Sequence, residues 1–301
     1  MKKLILFALC LSLAAALFAG CGGGSGSGDE RHITIAGKTS SEPQIMVEVF
    51  AQLIEAKTDI TVDRVMDLAS RIAFESTVQG ETHIYPGYSG TLLINYLNID
   101  IEPGTTAEEI IDMARAGILE EYDLVLLPHV GFQNNFGIAI GGPFAREHNI
   151  RTLSDLIPFS SDMVFGGEHA FFDRADGFEG MVELYGLNFR DTVMMDVGLK
   201  YQSFAQGIMD AFVIYTTDSH IPSHDIVILE DDLSFFPTYY FHPVIRADTL
   251  ARFPEIGEAL SVLDNLLTED DMIRFNHMVD SGQASVSAAA AQMIEEFGLL
   301  N

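Results

Sequence analysis

At 301 residues and 48% hydrophobic composition, the chain is long enough for one large domain or two ordinary ones and apolar enough to bury a core, which excludes intrinsic disorder. Its 44 acidic against 16 basic residues give a formal net charge of −28. That balance argues against nucleic acid or anionic lipid head groups as partners and suits equally an exported protein facing salt and an ordinary solubilising acidic surface.

Lys2 and Lys3 precede an apolar run from Leu4 to Phe18, the pattern of a secretory signal too short for a good membrane span. Cys21 follows Leu17-Phe18-Ala19-Gly20 and resembles the lipidated cysteine of a bacterial lipobox, with Phe18 where Leu, Val or Ile is usual. Residues 1–20 are therefore expected to leave as a signal peptide, and 21–31 to form a lipid-anchored Gly/Ser tether on the outer face of the cell membrane. The only other cysteine, Cys10, leaves with the signal, so the folded part has no disulfide, thiol nucleophile or cysteine metal site.

Ile33-Thr34-Ile35 predicts a strand, and Pro43–Ala56 a helix with Ile45, Val49, Leu53 and Ile54 on its apolar face. A strand over Ile60–Val65 and a helix over Ser70–Gln79, stopped by Gly80, come next. Ile84-Tyr85-Pro86 leads into an expected loop, Gly87-Tyr88-Ser89-Gly90-Thr91. Thr106 and Glu109 form a capping box for a helix over Thr106–Ala116, ahead of a buried strand over Asp123–Leu127. A second cycle starts near Gly137, with strands over Ile138–Ile140, Met163–Phe165, Ala211–Ile214 and Val227–Leu229, and four helices close the chain after Thr249. The alternation predicts an α/β fold of two lobes with mainly parallel sheets: residues 32–134 plus 241–301, and 135–240, joined by crossovers near Gln133–Phe136 and Phe235–Pro243. Ligands of such folds bind at strand carboxyl ends and between lobes.

The stretch Phe235-Phe236-Pro237-Thr238-Tyr239-Tyr240-Phe241-His242-Pro243 crowds aromatic rings between prolines that forbid a helix and weaken a central strand. It reads as a loop-like segment that either plugs a core or lines a pocket. Tyr88 and Tyr215 are further tyrosines beside turn residues. Rings from separate loops converging on one point suit a quaternary ammonium cation, which binds ring faces and donates no hydrogen bond. The chain has no Trp, so Tyr and Phe would have to supply those faces.

Six stretches carry a family resemblance: Ile35-Ala36-Gly37-Lys38, Ile84 through Thr91, Phe171-Phe172-Asp173-Arg174-Ala175-Asp176-Gly177, Gly198-Leu199-Lys200-Tyr201-Gln202, Ile214-Tyr215-Thr216-Thr217-Asp218 and Phe236-Pro237-Thr238-Tyr239-Tyr240. Together, and in this order, they resemble the substrate-binding proteins of glycine betaine/choline/carnitine ABC importers, in the branch with a tyrosine cage. The resemblance covers about Ile33 to Leu300 and implies a two-lobed periplasmic-binding-protein fold of the second type. It places cage rings at Tyr88, Tyr215 and Tyr239, and at Phe136, where the family has a fourth tyrosine; Phe keeps the ring face and loses the hydroxyl. The family's cationic clamp for a ligand carboxylate falls on Arg174 and Lys38, where a guanidinium would grip a carboxylate bidentately.

The resemblance implies a small quaternary ammonium ligand, a membrane permease as partner, a monomer, no cofactor and no metal. Ergothioneine is an alternative ligand, and a permease-independent sensory module an alternative role. Tyr185, Tyr201 and Tyr240 read as core or surface rings. His220 and His224 have metal-ligand spacing but no evident third ligand, and Pro222 between them makes a solvated loop the simpler reading. No acid–base or nucleophile constellation suggests an enzyme.

Overall fold

The computed structural model of the protein describes residues 31–102, 104–174 and 176–300. The expected signal, Cys21 and the tether up to residue 30 lie outside the described residues. The strands in chain order are β1 (His32–Lys38), β2 (Thr61–Leu68), β3 (Ile84–Tyr88), β4 (Leu124–Leu126) and β5 (Phe136–Gly141). They continue with β6 (Val164–Gly167), β7 (Asp191–Met194), β8 (Ala211–Tyr215), β9 (Ile226–Leu229) and β10 (Phe241–Arg246). They form two five-stranded sheets, ordered β2-β1-β3-β10-β4 and β7-β6-β8-β5-β9, and helices cover both.

The helix Ser41–Lys57 buries Ile45, Val49, Leu53 and Ile54, the face that the i, i+4 spacing predicts. It packs with the C-terminal helices Glu269–Asp280 and Val286–Glu296 in one core that includes Phe50, Met272, Phe275 and Met293. Each such side chain contributes about 1.5–3 kcal/mol by leaving water, and Phe50→Ala would open a cavity costing about 3–5 kcal/mol. Helix Ala107–Tyr122 starts on the Thr106–Glu109 capping box, and Gly80 ends helix Ser70–Gln79 at φ 82°, both as the sequence predicts. The second sheet has its own core around Ile138, Phe165, Phe171, Met181 and Val213, into which Phe235 and Phe236 insert.

Three expectations need correction. The sheets are mixed rather than mainly parallel: β1 pairs parallel with β2 and β3, and β6 with β7 and β8. However, β10 runs antiparallel to β3 and β4, and β5 antiparallel to β8 and β9. The antiparallel strands are those that begin where the chain crosses from one sheet to the other, so each enters its new sheet reversed.

The second and third corrections share a cause. Gly87 and Tyr88, expected to open a loop, end a strand over Ile84–Tyr88, and the part of the aromatic stretch from Phe241 on, read as loop-like because of its prolines, begins the strand Phe241–Arg246; both lie inside the first sheet. The two prolines sit directly opposite each other in the β3–β10 ladder. Such a position in an antiparallel pair can be one where neither N–H is used across the pair. The ladder from β10 to β4 begins only at Val244 and that from β3 to β1 lies at Ile84. The missing donors therefore fall where no ladder bond is needed.

The chain leaves the first sheet after β4 and returns to it after β9, and the two connecting segments bond to each other. Gln133 bridges Tyr240 in antiparallel fashion, Asn134 N–H donates to Tyr239 O at 3.0 Å, and Phe241 N–H to Phe132 O at 3.2 Å. This short ribbon between the sheets fixes where Asn134, Phe136 and Tyr239 emerge.

Candidate functional site

Five of the six expected ligand residues line one cavity of about 170 Å³: Tyr88, Phe136, Arg174, Tyr215 and Tyr239, together with Thr91 and Asn134. Register explains much of the convergence. Phe136 opens β5 and Tyr215 closes β8, and the two are directly paired, with ring centroids 5.2 Å apart. Tyr88 closes β3 opposite Phe241, against whose ring it stands edge-on at 5.1 Å. Tyr239 is held by its N–H donating to Asn135 Oδ1 at 2.9 Å. Its ring lies so near Gly90 that a Cβ there would meet ring carbons at 2.6 Å, so Gly90 is the residue that lets Tyr239 approach.

Arg174 follows the short helix His169–Asp173. Its Nε donates to Asp176 Oδ1 at 2.7 Å and its Nη2 to Asp176 Oδ2 and to Tyr239 Oη at 3.0 Å, while Tyr239 Oη donates to Asp176 at 2.7 Å. The guanidinium carbon lies 5.4 Å from the centre of the Phe136 ring. Burial works against charge on both partners, but their mutual bonds win: Arg174 is held above, and Asp176 below, its ordinary range. Arg174, the expected clamp, is thus already paired within the chain, with Asp176 occupying two of its donor positions.

Lys38 does not line this cavity. It ends β1 and lines an adjoining cleft of about 730 Å³ that shares Tyr88, Thr91, Asn134 and Tyr215 with the cavity. Only 8% exposed, its ammonium lies 4.6 Å from the Tyr85 ring centre and 4.8 Å from that of Tyr88. Burial, partly offset by the charge of Glu42, lowers its pKa to about 7.

Several residues of the site had no signal in the sequence reading. Glu42, buried in the first turn of helix Ser41–Lys57, accepts from Tyr88 Oη, from Asn134 Nδ2 at 2.9 Å and from Asn276 Nδ2 at 3.1 Å. Burial raises its pKa; Thr217, Tyr88, Asn276 and Asn134 pull it back. Burial also raises the phenol pKa values of Tyr88, Tyr215 and Tyr239, with Glu42, Glu168 and Asp176 respectively adding to it. The rings therefore stay neutral, with faces rich in π density to attract a cation. Tyr201, read as a core or surface ring, lines the larger cleft and stacks on His220 at 4.8 Å. Tyr185 is buried, donating to Asp231, and Tyr240 packs on His129. No cluster of three metal-ligating side chains occurs among the described residues.

Four rings and a paired cation, with a buried amine in the adjoining cleft, suit a small organic cation carrying an anionic end. The family described as the substrate-binding domain of ABC-type glycine betaine transport systems matches residues 31–296. An ergothioneine transport permease/ergothioneine binding protein of Helicobacter pylori is 30% identical over 90% of this chain, which spans 48% of that protein's length. A glycine-betaine-binding protein of Pseudomonas aeruginosa is 30% identical over 97% of this chain and 94% of its own. A crystal structure described as a glycine betaine/carnitine/choline ABC transporter superposes with a TM-score of 0.83 at 26% identity, covering 89% of this chain and all of the other. Among the described residues no helix is long and apolar enough to cross a membrane.

Proposed function

The chain belongs to the family of substrate-binding domains of ABC-type glycine betaine transport systems, and from that membership we propose that it captures a zwitterionic quaternary ammonium solute, glycine betaine or carnitine, and delivers it to a membrane permease for osmoprotection. The observation that carries the reading is the convergence of Tyr88, Phe136 and Tyr215, from three separate strand ends, and Tyr239, from the crossover segment, on one cavity beside Arg174. Each well-placed ring would contribute roughly 0.5–2 kcal/mol to a methylated ammonium. The carboxylate would meet Lys38 or the remaining donors of Arg174. Choline has no such group and would leave the buried amine uncompensated.

The reading includes lobes 32–134 plus 241–301 and 135–240 closing on the ligand, a monomeric binding protein rather than an enzyme, and an extracytoplasmic location with Cys21 as the lipid anchor. A second ligand, ergothioneine, is favoured by the adjoining cleft of about 730 Å³, which leaves room beyond the cage for a larger betaine.

Calorimetric titration with glycine betaine, carnitine, choline and ergothioneine tests the proposal. Tight binding of a carboxylated betaine that weakens in Tyr88→Ala and Tyr215→Ala supports it. Silence from all four ligands would leave only the fold.

A further inference from the structure

Two neighbouring side chains on helix Glu269–Asp280 reach away from the core of the first sheet toward the segment that follows Tyr215. Asn276 Nδ2 donates to Thr217 O at 3.0 Å, as well as to Glu42, and His277 Nδ1 donates to Ser219 O at 2.9 Å. Thr217 also helps to offset the upward push of burial on the Glu42 carboxyl. Asn276, Glu42, Thr217 and Ser219 are all at least nine-tenths buried.

These bonds join bodies that are otherwise connected through the crossover ribbon. Helix Glu269–Asp280 belongs to the core of the first sheet through Met272 and Phe275, whereas Thr217 and Ser219 continue from β8 of the second. At its other end the same helix holds the ribbon, because Glu269 accepts from the Gln133 N–H at 3.1 Å. Glu42 also gathers Tyr88 and Asn134, both of which line the cavity. One carboxylate thus touches a cage wall, the crossover and the contact between the lobes.

We propose that Asn276 and His277 are positioning residues that latch the Thr217–Ser219 segment to the first lobe, with Glu42 tying that latch to the Tyr88 wall, so that occupancy of the cage and closure of the lobes stabilise each other. The inference rests on the proposed reading of the cavity as a ligand site. A group that touches only the lobe contact should act on how long the ligand stays, since closure gates escape, and little on how fast it arrives.

The experiment uses the protein with single cysteines placed at Met113 and Leu184, exposed positions on helices over the two sheets; residues 22–301 contain no native cysteine to interfere. Spin labels at these sites report lobe separation by pulsed dipolar spectroscopy, with and without glycine betaine, and stopped-flow measures its dissociation. His277→Phe keeps an aromatic ring, removes the donor and leaves Glu42 untouched. It should speed dissociation about fivefold, the factor for one neutral hydrogen bond of ~1 kcal/mol, and shift label distances outward. Asn276→Leu, which also strips a donor from Glu42, should exceed tenfold, and His277→Gln, which keeps an N–H, should stay near wild type. Wild-type dissociation and distances in both His277→Phe and Asn276→Leu overturn the latch. If wild type binds none of the four ligands, the functional reading falls. The latch is then judged on the distances without ligand, where unchanged separations in both variants reject it and longer ones uphold it.

Discussion

Lys38 at the end of β1 and Lys200 at the start of helix Lys200–Ala205 both place an ammonium against a tyrosine of the cavity, 4.8 Å from the Tyr88 ring centre and 5.5 Å from that of Tyr215. Their surroundings differ. Lys200 is fully buried and donates to Glu168 at 2.9 Å and to Val213 O at 3.0 Å, so its charge is matched inside the fold. Lys38 has the rings of Tyr85 and Tyr88, and the carboxylate that acts on it, Glu42, already gathers three other donors. A buried charge with a fixed partner holds a wall in place. A buried amine without one remains available to an incoming carboxylate.

The contrast breaks most visibly at Glu168. Glu168→Leu leaves the Lys200 ammonium buried without its carboxylate and should destabilise the protein by ~3–5 kcal/mol, read by urea unfolding. Glu168→Leu combined with Lys200→Met should recover most of that loss. A single-mutant effect below ~1 kcal/mol would show that the pair is not a structural element.

Lys38→Met should have the opposite sign on stability. The folded state holds the Lys38 proton with a pKa of about 7, against 10.5 for the unperturbed side chain. Between those values the unfolded chain binds more protons, so wild-type stability should rise with pH from about 7 toward 10, with a slope of up to ~1.4 kcal/mol per pH unit from this group. Lys38→Met should remove that slope and be the more stable protein at pH 7. The same change should weaken glycine betaine by ~1.5–3 kcal/mol, the worth of a charge-assisted bond, and leave choline unaffected. Equal pH profiles for both proteins would mean that Lys38 is solvated and charged throughout.

How much of this contrast was legible depends on sequence distance. The rings stand in recognisable local motifs, and the capping box at Thr106 and the stop at Gly80 are local too. The groups that hold the neighbouring carboxylates in place are remote: Tyr239 meets Asp176 across 63 positions, and Asn276 meets Glu42 across 234. No periodicity announces such pairs. Pro243 misled for a related reason, since a proline argues against a central strand by itself and only its pairing with Pro86 makes both acceptable.

Within the cage, Tyr239→Ala should lower ligand affinity by ~1–3 kcal/mol through lost ring area and cation–π contact. It also releases Arg174 from one of its partners. Tyr239→Phe separates the two effects, keeping the ring while removing the bonds to Asp176 and Arg174. If Tyr239→Ala binds glycine betaine as wild type does in calorimetry, Tyr239 is a wall of the fold and not of the site.

The smallest expected effect is at Phe136, whose ring lies against Phe171 at 5.1 Å and Tyr215 at 5.2 Å with Arg174 above it. Phe136→Tyr adds a hydroxyl beside a guanidinium that already serves Asp176 and Tyr239. Where that hydroxyl reaches the free edge of Arg174 or the ligand carboxylate, it adds one neutral-to-charged bond. Where it points into the apolar cluster, it must be desolvated. The two nearly cancel, so glycine betaine affinity should change by less than ~1 kcal/mol, and any gain should appear for carboxylated ligands and not for choline. An equal gain for choline would place the hydroxyl against the ammonium and show that the ring edge, as well as its face, borders the bound cation.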